Sequence, residues 1–325
     1  MAVSFSLVNG AGFASEASRI LEDAWEPPTL RYSPGYLGWQ LTFPSEVELP
    51  AVAATEGGEP IGFAAATARR LRCGSSAFDV AVVSFVAVRP AWRNRGVASG
   101  LYRLLLKALA DLSVPVVTFG IPGSGGHKTL LRAYSEAGFQ MQEIGSYDNY
   151  AFLSRSEEAH GDWTARFSED AGAISSLAAE LARRDQDVLW SAPESLQVDH
   201  YLRDPRPRKL IVVEDASGGI RGAGFILHSE LRTAQGSTRA TTLDSVWMPR
   251  DNGNGLRALL RLASCAWPSS SGSAAVVMCP NLSAFDVAVL GAAGVRKTGA
   301  QFFGYLYTHG RKPGLTAKRT NLEIV

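Results

Sequence analysis

One succession of elements occurs twice along the 325-residue chain, and it limits the possible folds more than any other feature. In each half an apolar strand leads into a glycine-containing loop, an amphipathic helix, a further strand, and a helix that ends at a glycine. The two glycines are 42 residues apart in the first half (Gly96 and Gly138) and 41 apart in the second (Gly253 and Gly294). Because self-similarity at a fixed spacing is typical of a duplicated unit, the sequence predicts two copies of one α/β fold.

The polar segment 154–162 is the expected linker between the copies. We therefore predict a first domain over residues 1–155 and a second over 156–325, both of ordinary domain length. Periodicity and turn residues predict the strands of both halves at 4–8, 49–54, 60–71, 79–88, 114–119, 150–153, 210–214, 220–227, 241–247, 274–278 and 301–307. The helices are predicted at 13–25, from Ser33 onward, 101–112, 127–137, 170–184, 256–266 and 282–294.

Composition excludes several classes of protein. The formal net charge is only +1, whereas a protein that grips nucleic acid or an anionic membrane needs a strong positive field. The three cysteines are far apart, and neither they nor the five histidines have the spacing of metal ligands, so no metal is expected. Because the sequence shows no secretion signal at its start and no apolar run of membrane-spanning length, we expect a cytoplasmic protein without membrane contact.

The loop 93–98 of the first half, Arg-Asn-Arg-Gly-Val-Ala, lies between a strand and a helix and has the features of an anion site. Unpaired amides at a helix N-terminus point outward, and the helix dipole favours negative charge there. Gly96 lets backbone approach a phosphate, and the small Ala98 keeps the first helical turn tight. Arg93 and Arg95 would add charge-assisted hydrogen bonds. The loop therefore predicts a diphosphate site.

Two motifs resemble a known family. The string VSFVAVRPAWRNRGVASGLYRLLLKAL resembles motif A of the GNAT N-acetyltransferases, and LLRAYSEAGF resembles the motif that follows it in this family. The resemblance covers residues from about 45 to 153 well and the first 45 loosely. It implies two tandem GNAT-like domains, each a mixed, mostly antiparallel twisted sheet flanked by helices. It also implies acetyl-CoA or another acyl-CoA as co-substrate.

The resemblance also implies where the donor binds. The strand 83–88 should separate from its neighbour near Phe85, so that freed backbone groups hold the pantetheine arm. A backbone amide there would bind the thioester carbonyl and then stabilise the oxyanion. The residues implied in donor binding are Phe85, Val86, Ala87, Val88, Arg93, Asn94, Arg95, Gly96, Val97, Ala98 and Ser99.

The catalytic acid and base are predicted with unequal support. Tyr134 stands four residues before Gly138, where the family has the tyrosine that protonates the leaving thiolate. Many family members take their base from a glutamate on the central strand, but the run AVVSFVAV has only Ser84 as a polar side chain. Three alternatives for the base remain: a water chain that ends at Ser84, the carboxylate of Asp79 and the carboxylate of Glu143.

The segment 25–43 is rich in aromatic residues and corresponds to the acceptor wall of the family. Such a wall suits a small organic amine better than a charged peptide tail, although the rings would equally serve to pack against the sheet or the other domain. These residues are Trp25, Tyr32, Tyr36, Trp39 and Phe43. His127, near the cofactor side, is expected to cap a helix or to lie on the surface.

The second half has a related loop at 250–255, which we expect to be degenerate. Pro249 precedes it, Asp251 brings a negative charge to the diphosphate position, and Leu290 stands where the first half has Tyr134. Gly96 and Gly253 are both expected on the open side of their loops.

These observations predict an N-acyltransferase that moves an acetyl or short acyl group to a small-molecule amine by direct attack in a ternary complex. Two alternatives stay open: an enzyme that acetylates a protein amine, and an acyl-CoA sensor without turnover. The protein is expected to act as a monomer or homodimer.

Overall fold

A computed structural model describes residues 2–153, 163–267, 276–280, 282–310, 317 and 319–321. The predicted linker 154–162 and the first two residues of the predicted strand 274–278 lie outside these ranges. The α/β class is confirmed, since one large, mostly antiparallel sheet carries the helices.

The elements of the first half follow the predicted succession closely. Their bounds are β1 Val3–Val8, α1 Ala14–Ala24, β2 Thr29–Leu30, α2 Pro34–Leu41, β3 Ala51–Glu56, β4 Glu59–Cys73, β5 Ser76–Val88, a 3-10 turn at Pro90–Trp92, α3 Val97–Asp111, β6 Val116–Gly120, α4 Gly125–Glu136 and β7 Phe139–Leu153.

The second half repeats much of this order and has four elements that the sequence did not indicate, at 164–168, 188–191, 195–202 and 319–321. Its elements are β8 Thr164–Ser168, α5 Ala171–Arg184, β9 Val188–Ser191, α6 Ser195–Leu202, β10 Arg208–Glu214, β11 Ile220–Thr233, β12 Gly236–Trp247, α7 Gly253–Ser264, β13 Val276–Cys279, α8 Val287–Ala292, β14 Val295–His309 and β15 Arg319–Asn321. The helix predicted at 282–294 is corrected to the short α8, and the strand predicted at 150–153 is the end of the 15-residue β7.

Helix ends form where local chemistry predicts them. The Ser33 hydroxyl accepts a hydrogen bond from the Tyr36 amide, and Pro34 occupies the first turn of α2. At the end of α4 the chain turns through Gly138, whose φ of +78° suits glycine. These caps fix the entry of α2, which carries the aromatic segment, and the exit of α4, which carries Tyr134.

The two halves exchange the strands β7 and β14. The sheet order is β1-β3-β4-β5-β6-β14-β7-β13-β12-β11-β10-β8. Residues 303–307 of β14 pair with β6 of the first half, while residues 150–153 of β7 pair with β13 of the second. Neither half therefore completes its sheet alone. The division at residues 155 and 156 stays a prediction, and it falls in the segment that the structure does not describe.

Helices cover both faces of the first half. On one face α3 and α4 pack over an apolar core that includes Leu105, Tyr134 and Tyr307. On the other face α1 and α2 enclose a core with Phe63 and Phe85. The second half has its own core around α5 and α7, and Phe43 of the first half is part of it. The carboxyl end of β5 therefore lies between the two cores of the first half.

Candidate functional site

The central strand β5 carries a bulge at its carboxyl end. Its pairing with β4 changes register between Phe63 and Ala65, and Phe85 has a φ of +57°. A non-glycine residue at positive φ needs its surroundings to hold it there. The parallel pairing of β5 with β6 is confined to Ala81 and Val82. Beyond Val82 the two strands are unpaired, and we call the unpaired stretch between them the gap.

The loop after β5 presents an open helix N-terminus. Asn94 and Gly96 both have positive φ, at 61° and 79°, and α3 begins directly after Gly96 without a side-chain cap. A Cβ built on Gly96 would meet no atom within 4 Å. The first amides of α3 thus face open space beside the gap, the geometry in which a helix N-terminus binds an anion.

The two arginines of the loop have different surroundings. The Arg93 guanidinium donates to the backbone carbonyl of Ala24 at the end of α1, and its Nε lies 3.4 Å from the Val88 carbonyl oxygen. The Arg95 side chain is 53% exposed and lies 3.6 Å from Glu56. Arg93 therefore ties the loop to α1, whereas Arg95 is exposed on the loop and pairs with Glu56.

The remaining residues implied in donor binding line the strand end and the loop. Ala87 and Val88 are buried, and Val86 and Ser84 are half-buried on β5. Val97 is buried under α3, Ala98 is half-buried, and Asn94 and Ser99 are exposed. Ser84 pairs with Ala65 across β4, one residue before the bulge. The binding and catalytic roles of these residues stay predictions.

Tyr134 lies on the last turn of α4 and is only 1% exposed. Its ring stacks on Tyr307 of β14, with centroids 3.7 Å apart. Burial raises the pKa of Tyr134 well above its usual value, Tyr307 and Tyr102 raise it further, and Thr118 lowers it. The phenol is therefore protonated at neutral pH, as a general acid must be, and it is closed off by a strand of the second half.

Neither carboxylate considered as a base lies beside the bulge. Asp79 is paired with Arg70 at 3.0 Å and is six residues from Phe85 along β5, a strand distance of about 20 Å. Glu143 is exposed on β7 opposite Tyr305, and β6 and β14 lie between β7 and β5. Their roles as base stay predictions, and a chain of waters would be needed to connect either of them to the site.

The sequence left open whether the rings of the segment 25–43 form an acceptor wall or pack against the sheet or the other domain. The structure places them in two groups. The rings of Tyr32 and Tyr36 contact Phe85 edge-on, at centroid distances of 5.6 and 6.5 Å. Trp39 instead stacks on His200 of the second half at 4.9 Å, and Phe43 packs on Tyr201. Tyr32 and Tyr36 are thus next to the bulge, Trp39 and Phe43 join the halves, and Trp25 contacts Tyr32 edge-on.

His127 is buried, not on the surface as one of the two expectations had it. Its amide donates to the Ser124 hydroxyl in the α4 cap, so the capping expectation is met by its backbone. Its ring lies 5.2 Å from that of Tyr305, and a Cβ on Gly120 would stand 2.6 Å from its Nδ1. Tyr305 and Tyr307 both come from β14, so the sequence could not show that they approach α4.

The loop of the second half is closed. The Asn252 side chain caps α7 by accepting from the Gly255 amide at 2.9 Å. Arg250 is bound to Asp187, and Asp251 to Arg184. A Cβ on Gly253 would stand 3.4 Å from the Val289 carbonyl oxygen of α8, so the expectation that Gly253 lies on the open side is wrong.

The second half also has a bulge, but buried charged side chains lie at it. The β11–β12 register shifts at Asp244, one residue before Ser245, just as Val86 precedes Ala87 in the first half. Asp244 binds Arg208 at 3.0 Å, and Arg208 also binds Asp204 at 3.1 Å. All three side chains are fully buried. This ion network replaces the apolar strand end of the first half.

Within the described ranges no three histidine, cysteine or carboxylate side chains are grouped as a metal site. Among those residues, no helix combines the length and the apolar character that crossing a membrane requires.

The strand order, the bulge and the open helix N-terminus define a GNAT-like fold, and solved structures share it. A GCN5-related N-acetyltransferase from Anabaena variabilis ATCC 29413 matches with a TM-score of 0.59 and 14% identity, covering 93% of this chain and 72% of that one. Saccharomyces cerevisiae N-myristoyltransferase with bound myristoyl-CoA matches with a TM-score of 0.68 and 10% identity, covering 96% and 80%. A probable N-acyltransferase from Enterococcus faecalis V583 matches with a TM-score of 0.57 and 15% identity, covering 94% and 72%.

The first half also matches a family model by its sequence. Residues 14–139 match the acetyltransferase (GNAT) family, so this part of the chain is similar to that family. A search of curated protein sequences gave no significant match. The family and the fold together support acyl-CoA-dependent N-acyltransferase activity.

Proposed function

We propose that this protein transfers an acyl group from acyl-CoA to the amine of a small molecule, using a single donor site at the loop 93–99. The observation that carries the proposal is the contrast between the two loops. Gly96 faces open space at an uncapped helix N-terminus, whereas Gly253 is covered by α8 and its helix is capped by Asn252. Only the first loop offers free amides to a diphosphate.

The proposed reaction follows from the layout of β5. The diphosphate binds at the start of α3, and the pantetheine arm lies in the gap where β5 leaves β6. The neutral amine attacks the thioester carbon, and a backbone amide at the bulge stabilises the oxyanion that forms. The C–S bond then breaks, the new amide retains the acyl group, and the CoA sulfur takes a proton while the amine loses one.

Tyr134 is the proposed proton donor to the sulfur. Its raised pKa keeps it protonated, and proton transfer by a positioned group contributes about 10²–10⁴ in rate. The buried hydroxyl reaches the sulfur only if the donor enters the gap beside Thr118 and Tyr307. Ser84, one residue from the bulge, is proposed to hold the water that receives the amine proton.

A small-molecule acceptor is favoured by the rings beside Phe85. Tyr32 and Tyr36 wall the bulge on the α1–α2 side, and Trp39 joins the halves close by. The second candidate is a protein that binds acyl-CoA without turnover. It is favoured by one specific observation: neither Asp79 nor Glu143 reaches the bulge.

Two measurements on the purified chain test the proposal. Mass spectrometry of retained CoA species identifies the donor, and thiol release with a panel of amines measures turnover. We expect a bound acyl-CoA and amine-dependent CoA release. Binding without release from any amine would support the sensor instead, and absence of binding would refute the donor site.

A further inference from the structure

A cavity of about 500 Å³ lies between the halves. The first half contributes residues of α1, β2 and the start of α2, and the second half contributes the loop 205–207 and strands β11 and β12. The two sides are joined by strand pairing, since β2 pairs with residues 231–232 of β11. The cavity therefore exists only when both halves are present.

We infer that this cavity binds the acceptor and that the acceptor is an amine bearing a carboxylate, as an amino acid does. The inference rests on the proposed function. Its first support is position: Tyr32 lines the cavity, and the same ring contacts Phe85 at the bulge. A molecule held in the cavity would therefore contact Tyr32, the same side chain that contacts Phe85 at the bulge.

The second support is the charge of the lining. Four arginines and two glutamates line the cavity. Each glutamate already faces an arginine: Glu230 lies 3.1 Å from Arg31, and Glu22 lies 3.8 Å from Arg232. Arg206 binds Asp204, which is not a lining residue, and Arg239 shares Glu230 with Arg31, so the lining has two more arginines than glutamates.

Arg206 is built as a fixed anchor. Its side chain is 12% exposed, and its guanidinium lies over the Tyr36 ring at 3.8 Å. Asp204, behind the cavity wall, accepts from Nε at 3.1 Å and from Nη2 at 2.8 Å. Among the residues that the structure describes, Nη1 donates to none. An arginine held in this way loses little entropy on binding a planar anion.

Arg239 strengthens the same preference. It lies near Glu230 and His228, and burial together with Arg239 lowers the pKa of His228. The imidazole is therefore neutral at pH 7 and adds no charge. Behind the cavity wall, Arg208 is bound to both Asp204 and Asp244. The four lining arginines and Arg208 therefore stand against four carboxylates, those of Glu22, Glu230, Asp204 and Asp244. The excess is positive, which disfavours a polyamine and favours an anionic group.

The test measures how fast the full chain acylates matched amines, with acetyl-CoA as the donor. Each set contains an amino acid, its primary amide and its decarboxylated amine, for example phenylalanine, phenylalaninamide and 2-phenylethylamine, with further sets of other side chains. We expect kcat/KM for the amino acid to exceed that for its partners by about tenfold or more, equivalent to roughly 1.4 kcal/mol. Arg206→Gln should remove this preference mainly through KM.

Arg221→Gln is the matched control, because Arg221 is an exposed arginine paired with Asp215 outside the cavity. It should keep the preference. Equal acylation of amino acids and their decarboxylated partners, or a preference that survives in Arg206→Gln, would overturn the inference while leaving the proposed function intact. Acetyl-CoA binding with no amine acylated in any set would instead contradict the proposed function.

Discussion

The ring of Tyr134 on α4 stacks on that of Tyr307 on β14, with centroids 3.7 Å apart and planes 19° from parallel. Tyr134 belongs to the first half and Tyr307 to strand β14 of the second. Because of the strand exchange, the proposed acid is covered by a residue 173 positions further along the chain. The second half keeps a structural part in the site although its own loop is closed.

This stack makes Tyr134→Phe an informative variant. The ring packing is retained while the hydroxyl is lost, so we expect turnover to fall about 10²-fold or more with acetyl-CoA affinity nearly unchanged. Single-turnover kinetics and calorimetric titration measure the two quantities. Tyr307→Phe is the matched control and should retain most of the turnover. Near-normal turnover in Tyr134→Phe would show that the sulfur takes its proton elsewhere.

Alanine substitutions at the two loop arginines should affect donor affinity and stability differently. Because Arg95 is half-exposed beside the open helix N-terminus, Arg95→Ala should weaken acetyl-CoA binding by roughly 1.5–3 kcal/mol. Arg93 binds the Ala24 carbonyl, so Arg93→Ala should lower the melting temperature as well as affinity. Calorimetry and thermal melts separate these effects. An Arg95→Ala protein with unchanged affinity would remove that arginine from the donor site.

The closed second loop predicts loss of stability without loss of function. Asn252 caps α7, so Asn252→Ala should lower the free energy of unfolding by about 1 kcal/mol. Gly253→Trp should destabilise more, because its side chain would meet α8. Denaturant unfolding measures both. Donor affinity should be unaltered in the Asn252 variant, and a weaker affinity there would mean that the second loop binds the donor.

Stability should fall between pH 7 and pH 5 partly through His200, which joins the halves. Burial lowers its pKa, Arg69 and Arg203 lower it further, and the Trp39 carbonyl and Asp204 raise it. In the unfolded chain the pKa is about 6.5, so below that pH the unfolded state binds the proton more readily. Denaturant unfolding at both pH values should show a smaller loss for His200→Gln than for the wild type. An equal loss would exclude this histidine as the cause.

The sequence predicted the elements whose causes are local. The apolar stripe of α3, the Ser33 cap and the glycine after α4 depend on neighbouring residues, and all three were found. The exchange of β7 and β14 was not predicted, because strand partners are chosen by packing across the whole chain. For the same reason Tyr307 was missed.

The cavity between the halves was equally beyond sequence reasoning. Arg206 and Tyr36 are 170 residues apart, and no motif connects them. Their contact follows from the docking of α2 on the second half, which depends on Trp39 and His200. The position of Gly253 was predicted wrongly because its cover, α8, is remote in sequence.

Binding stoichiometry tests the single donor site most directly. Gly96→Trp places a bulky side chain where the diphosphate would bind, and Asn254→Trp does so at the exposed start of α7 in the second half. Circular dichroism and a thermal melt should first show that both variants are folded. Calorimetric titration with acetyl-CoA should then give one equivalent for the wild type and for Asn254→Trp, and none for Gly96→Trp. Two equivalents for the wild type, or intact binding in folded Gly96→Trp, would contradict the account.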